Sequence, residues 1–452
     1  MHTTSEPDVV EIDDRARTVA LVVAAVAGAA FVLAALLLVP WGWVPGTTVE
    51  PVEPTALLTP EQVARAEEYS GVRRVLGWVA IVVSLMVAGW LALARSGRRV
   101  ARAGAGTRWA RPWWVRVVLG VVVVLVVGRA VVLPVSVLIR RRALDYGLTT
   151  QGWAAWLLDL VRSLAVEVAV TALALVVLVG LARRFRRAWP ALAAVAVAGL
   201  VLAGSFLHPV LIEPVFNRFE PMPDGPLRVA ILEVADAEGV EVDEVLVADA
   251  SRRTTTLNAY VSGFGDTRRV VVYDTLLAGL TDEQALSVVA HEIAHARHDD
   301  VLLGTMLGAL GGAAGVGALA WLVLGRRVRR RADVAGPGDP AVVALVLFLV
   351  GVVTFAANPV ESGISRAIEA RADVTALRAT EDGDAFAQMQ HRLASRSLSD
   401  PQPPAWSRWA FASHPLATER LGILEALGVS WELDPAAEAR RAEQDRARGA
   451  TP

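Results

Sequence analysis

Two histidines four residues apart, with a glutamate beside the first, stand inside an apolar run. Residues 288–298 read VVAHEIAHARH and contain His291, Glu292 and His295. On a helix both imidazoles share one face, one turn apart. So placed, they can hold one Zn²⁺ at about 2.0–2.1 Å each. Glu292, on the neighbouring surface, can take a proton from a metal-activated water and return it to a leaving amine. The chain has no cysteine, so any further metal ligand is His, Asp or Glu. Residues 358–373, NPVESGISRAIEARAD, supply candidates. Glu369 and Asp373 are four apart and share a helix face. Glu369 could complete a His₂Glu site, and Asp373 could accept the free ring N–H of a ligand histidine, fixing its tautomer. Glu361 is a weaker ligand candidate. The plainer alternatives are a polar helix start beside a membrane for 291–295, and a solvated face carrying Arg366 and Arg371 for 369–373. His298, Asp299 and Asp300 read as helix-end groups.

These side chains need elements to position them. Thr281, Asp282, Glu283 and Gln284 form a capping box, with Thr281 capping the helix and Gln284 reaching back. Apolar residues then recur at helical spacing to Ile293. Upstream, 240–248 and 269–274 read as strands and 256–263 as a third, closed by a turn at 263–266.

The rest of the chain is strongly apolar: 54% hydrophobic, 20% charged and a mean hydropathy of +0.46. That balance indicates a multispanning membrane protein. The net charge of −2 says little, because the charges are segregated, and every basic residue other than His is Arg. Seven stretches are long enough to span about 30 Å of hydrocarbon, near 18–41, 75–94, 115–139, 160–182, 188–207, 302–325 and 340–357. Arginines crowd the loops 95–111, 183–187 and 326–331, which seven spans place on one side. The positive-inside tendency makes that side cytoplasmic and the polar blocks extracytoplasmic, although Arg140, Arg141 and Arg142 oppose this. Glu167 and Arg129 stand within apolar spans, where a polar cavity or a mutual ion pair would explain them. Tryptophans near span ends fit an interfacial belt.

The order of motifs resembles the type I CAAX prenyl protease family of integral-membrane zinc metallopeptidases. It runs from Pro214–Phe219 (PVFNRF) through Asn258-Ala259-Tyr260, Gly263 and 272–277 (VYDTLL) to His291–His295. Two spans, Ser365-Arg366, Glu369, Ala372-Asp373, Ser413-His414-Pro415 and Arg420 follow. The resemblance covers about 50 to 430. It implies His291, His295 and Glu369 as zinc ligands, Glu292 as general base and acid, and His414 as hydrogen-bond donor to the oxyanion. It implies Asn258 and Ala259 on an edge strand that pairs with substrate backbone. Arg366 and Arg420 would bind substrate or brace the carboxylates. The substrate is not carried over: the arginine pattern places the site extracytoplasmically, whereas eukaryotic members cut prenylated C-terminal peptides on the cytoplasmic side.

The expected protein is a mostly α polytopic membrane protein with about seven transmembrane helices and a small α/β zinc-metallopeptidase domain. Its parts are a disordered N-terminus (1–17), a membrane domain (18–207), a first peptidase segment (208–301), two spans (302–357), a second peptidase segment (358–432) and a disordered tail (433–452). It is expected to hold one Zn²⁺ per chain and to act as an endopeptidase on peptides or membrane-associated proteins, among lipid and without nucleic acid. The alternative is a non-catalytic scaffold or transporter on the same frame.

Overall fold

The computed structural model describes residues 14–104, 112–263 and 268–447. Most of the N-terminal segment, the turn after Gly263 and the last five residues lie outside the described residues. Within them, seven helices are long and apolar enough to cross a membrane. The chain opens with α1 (Asp14–Leu38), the single turn α2 (Pro54–Leu57), α3 (Pro60–Leu93) and the arginine-rich α4 (Arg95–Gly104). Then come α5 (Trp113–Asp145), α6 (Trp153–Arg184) and α7 (Trp189–Leu207). Several exceed their apolar runs. α3 starts at Pro60 because Thr59 and Gln62 form a capping box there, and its first turns are polar. Arg129 and Glu167 pair across α5 and α6 at 2.9 Å, which offsets the cost of two charges among apolar spans.

A short helix α8 (Glu213–Phe216) leads into a mixed α/β region. There β1 (Phe219–Pro221), α9 (Pro226–Ala237), β2 (Glu244–Ala248), β3 (Ala259–Ser262) and β4 (Arg269–Tyr273) build a four-stranded sheet. The strand order is β1-β2-β4-β3, with β2 and β4 parallel and the outer strands antiparallel. β1 was not legible in the sequence: three residues ending in proline show no alternation. β2 starts later than the alternating pattern, because Val240 N–H is taken by the end of α9.

α10 (Asp274–Gly279) and α11 (Asp282–Arg297) follow. The capping box at Thr281 and Gln284 is present. Val289 and Ile293 on α11 are buried with Val270 and Val272 of the sheet, Phe386 and Leu424. Each such side chain stabilises the fold by about 1.5–3 kcal/mol, which presses the opposite face of α11 toward the site. The chain re-enters the membrane region as α12 (Asp300–Leu324), turns through α13 (Arg326–Ala332) and returns as α14 (Val342–Thr380). α14 is continuous through Pro359. The boundary expected at 357/358 therefore falls inside one helix, whose far end carries Glu369 and Asp373. α15 (Gly383–Ser397), α16 (Ala405–Phe411) and α17 (Ala417–Leu427) complete the domain.

One expectation is corrected. The segment beyond 433 is not wholly disordered, since α18 (Pro435–Ala447) forms there. Its Glu438 is buried between Arg392, 3.1 Å away, and Arg441, 2.7 Å away. A charged sequence gives no hint of this, because the docking depends on an arginine from α15.

The arginine-rich turns gather at one end of the bundle. Arg98 donates to the Arg331 carbonyl at 2.8 Å, Arg102 pairs with Asp333 at 2.8 Å, and Arg183 donates to the Gly338 carbonyl at 3.0 Å. At the other end Thr149 and Thr150 donate to the carbonyls of Arg253 and Ser251, both at 2.6 Å, joining the membrane helices to the α/β region.

Candidate active site

α11 presents His291 and His295 on one face, their Nε2 atoms 3.1 Å apart. α14 brings Glu369 against both. Its Oε2 is 3.3 Å from His291 Nε2 and its Oε1 is 3.6 Å from His295 Nε2. Among the described residues these three form the group that could hold a metal ion, with donor atoms all within 4.8 Å of one another. Two metal–nitrogen bonds of 2.0–2.1 Å at a tetrahedral angle need nitrogens roughly 3.3 Å apart, close to the spacing found.

The remaining ring nitrogens face carboxylates. His291 Nδ1 lies 2.9 Å from Asp373 Oδ1, a close charge contact, and His295 Nδ1 lies 2.9 Å from Asp300 Oδ2. Such partners orient ligand imidazoles and raise their basicity. Burial, the largest influence on His291, lowers its pKa, but Asp373 and Glu369 outweigh it and the net shift is upward. The cluster therefore attracts positive charge to the point where the nitrogens converge. The donor set and its backing both suit a divalent cation.

Asp300 was read in the sequence as a helix-end residue. It is a buried partner of His295 and also accepts from Arg371. The available signal was its position five residues beyond His295. The bend that brings it back is at Asp299, in the left-handed region at φ 50°. Aspartate tolerates that conformation better than most residues.

Glu292 is half-buried beside the cluster, and desolvation raises its carboxyl pKa against the opposing pull of the two imidazoles. It lines an open cavity of about 840 Å³ together with Asn258, His291, His414 and Arg420. Asn258 is exposed and Ala259 is buried at the start of β3, the outer strand of the sheet. His414 is 61% exposed, with Nε2 3.4 Å from Glu369 Oε1. Ser413 Oγ lies 2.9 Å from its Nδ1.

Arg420 braces the carboxylates: it donates to Asp373 at 2.7 Å and to Glu369 at 3.0 Å. Arg366 does not brace the carboxylates. Its guanidinium donates to the carbonyls of Arg408 at 3.1 Å and Ala412 at 2.6 Å, pinning the segment that leads to His414. Glu361 is exposed and outside the cluster.

The fold and site define a multi-pass membrane metallopeptidase. Comparison with known proteins agrees. The profile of peptidase family M48 matches residues 221–427, and that of the CAAX prenyl protease N-terminal region, described by five membrane helices, matches residues 47–218. The uncharacterized metalloprotease YhfN of Bacillus subtilis is 29% identical over 411 residues, covering 88% of this chain and 95% of the relative. A CAAX prenyl protease 1 homolog of Arabidopsis thaliana is 31% identical over 235 residues, covering 48% of this chain and 52% of that protein. The crystal structure of S. mikatae Ste24p superposes with a TM-score of 0.68 at 22% identity, covering 90% of this chain and 98% of that one. That likeness establishes the shared fold. Between them the M48 and CAAX prenyl protease N-terminal models match most of the chain, and they support the resemblance to the CAAX prenyl protease family. The chain is a membrane metalloprotease, and nothing supports the scaffold or transporter alternative.

Proposed function

We propose that the chain is a zinc-dependent endopeptidase that cuts peptides or membrane-associated protein segments entering the large cavity. The observation that carries this reading is the position of Glu292, half-buried beside a His₂Glu cluster and open to the same cavity as Asn258 and His414. His291, His295 and Glu369 would hold one Zn²⁺, the usual choice for nitrogen and carboxylate donors with an open position. Bound there, the metal supplies Lewis acidity, polarising the scissile carbonyl and easing loss of a proton from water.

The protein's own groups do the rest. Substrate backbone pairs along β3 from Asn258 and Ala259, extending the sheet edge. Glu292 takes the proton of the attacking water and passes it to the leaving amine, a role worth about 10²–10⁴-fold. Ser413 Oγ, 2.9 Å from His414 Nδ1, can donate to it, and Nε2 would then carry the ring proton. That N–H can then donate to the developing oxyanion, a contact worth about 2.7–4 kcal/mol. Arg420 neutralises Asp373 and Glu369, and Arg366 holds the approach to His414.

The arginine-rich end of the bundle would face the cytoplasm, and the peptidase domain the other side. Arg140 and Arg142, which oppose that orientation by charge, are engaged by the protein: Arg140 donates to the Gln151 carbonyl and stacks on Trp153, and Arg142 stacks on Tyr146.

The test compares new protein N-termini in cells making the intact chain or its Glu292→Gln form. Glu292→Gln is expected to keep the metal and abolish cleavage. Termini found only with the intact chain identify substrates and the side of the membrane. Identical termini from both metal-loaded forms would refute the assignment.

A further inference from the structure

Ser70, Arg73, Arg74 and Gly77 recur at helical spacing on α3, and all four line the cavity that holds His291 and Glu292. The membrane region therefore supplies one wall of the substrate space. The two arginines are the last charges before the uncharged stretch 75–93, so they stand where the polar start of α3 gives way to its apolar length.

The other arginines of the cavity wall are engaged. Arg74 pairs with Asp400 at 2.5 Å, Arg408 with Glu419, and Arg420 with Glu369 and Asp373. Arg73 is exposed and, among the described residues, has no hydrogen-bond or ion-pair partner. The cavity lining is mixed, with apolar groups such as Ile139 and Phe411 beside polar ones such as Ser70 and Asp400, the last of which is paired with Arg74. The cavity thus carries one uncompensated guanidinium, on the wall contributed by the membrane region.

A guanidinium is a planar fork suited to a carboxylate, which it can grip through two parallel hydrogen bonds. We propose that Arg73 anchors a carboxylate of the substrate, so that the membrane region selects peptides carrying a negative group. This rests on the peptidase reading above. The carboxylate is either the substrate's C-terminus or an acidic side chain; both present the same chemistry to Arg73.

The test uses the full-length, zinc-loaded protein in neutral detergent. Three versions of one peptide are compared: a free C-terminal acid, its C-terminal amide without acidic residues, and the amide with one Glu. Arg73→Gln is expected to raise KM for a carboxylate-bearing peptide about tenfold or more, with kcat nearly unchanged and the neutral amide unaffected. Arg73→Lys should restore part of the difference. Which of the two charged peptides responds tells the C-terminus from the side chain. Binding of the same labelled peptides to the Glu292→Gln form, with and without Arg73→Gln, reads the anchor without cleavage. Intact protein that cleaves none of them would count against the peptidase reading, while the binding comparison still decides the anchor. Equal effects of Arg73→Gln on charged and neutral peptides would overturn the proposal. So would an effect that follows added anionic lipid instead of peptide charge, which would assign Arg73 to a lipid phosphate.

Discussion

Asp300 Oδ2 lies 2.9 Å from His295 Nδ1, while its other oxygen accepts from Arg371. The first residue of a membrane helix thus orients an imidazole on the helix before it. Asp300 is buried, and its carboxylate also benefits from the helix N-terminus. Asp300→Ala is expected to weaken metal affinity about 10–100-fold, with Asp300→Asn falling between. Competition with a chelator of known affinity measures this. Affinity unchanged in a folded Asp300→Ala protein would remove Asp300 from the site.

Arg366 acts at one remove. Its bonds to the Arg408 and Ala412 carbonyls hold the end of α16, two residues before His414. Arg366→Ala is expected to lower kcat about 10–100-fold through misplacement of His414, with metal content unchanged. Loss of metal alongside activity would show a wider structural role.

His391 is 1% exposed and lies 2.7 Å, through Nδ1, from the Leu57 carbonyl. The neutral ring donates there. Burial lowers its pKa, only partly offset by that carbonyl and by Glu438. The unfolded chain then binds the extra proton at higher pH than the folded one. The stabilising difference is fully present above the unfolded value of about 6.5 and is lost as pH falls through the folded pKa. Thermal unfolding midpoints in detergent should drop below roughly pH 6.5, and His391→Gln should flatten that slope. An equally steep slope in His391→Gln would assign the dependence to other groups.

Gly422 sits in α17 where the chain before α2 crosses it. A Cβ there would stand 2.0 Å from the Glu50 carbonyl oxygen. Because the obstacle is backbone, Gly422→Ala must push the crossing segment away, and about 1–3 kcal/mol of destabilisation is expected. A melting temperature equal to that of the unaltered protein would contradict the contact.

What the sequence determined by itself is local. Seven apolar runs specify seven helices, because backbone groups in hydrocarbon must be bonded within their own segment. Thr281 and Gln284 set the start of α11, and its period puts His291 and His295 on one face. Spacing also paired Glu369 with Asp373, since a helix makes positions four apart neighbours. What only the tertiary structure decided are the meetings between distant segments. α12 and the apolar first part of α14 separate Glu369 from His295 along the chain, and only the return of α14 beside α11 brings them together. The same return gives Asp300 its Arg371 and leaves Arg366 facing carbonyls instead of carboxylates. β1 and α18 exist because neighbours accept them, β1 by pairing with β2 and α18 through Arg392. Periodicity records which face a residue takes, but the partner that meets that face is fixed by packing, which no single segment encodes.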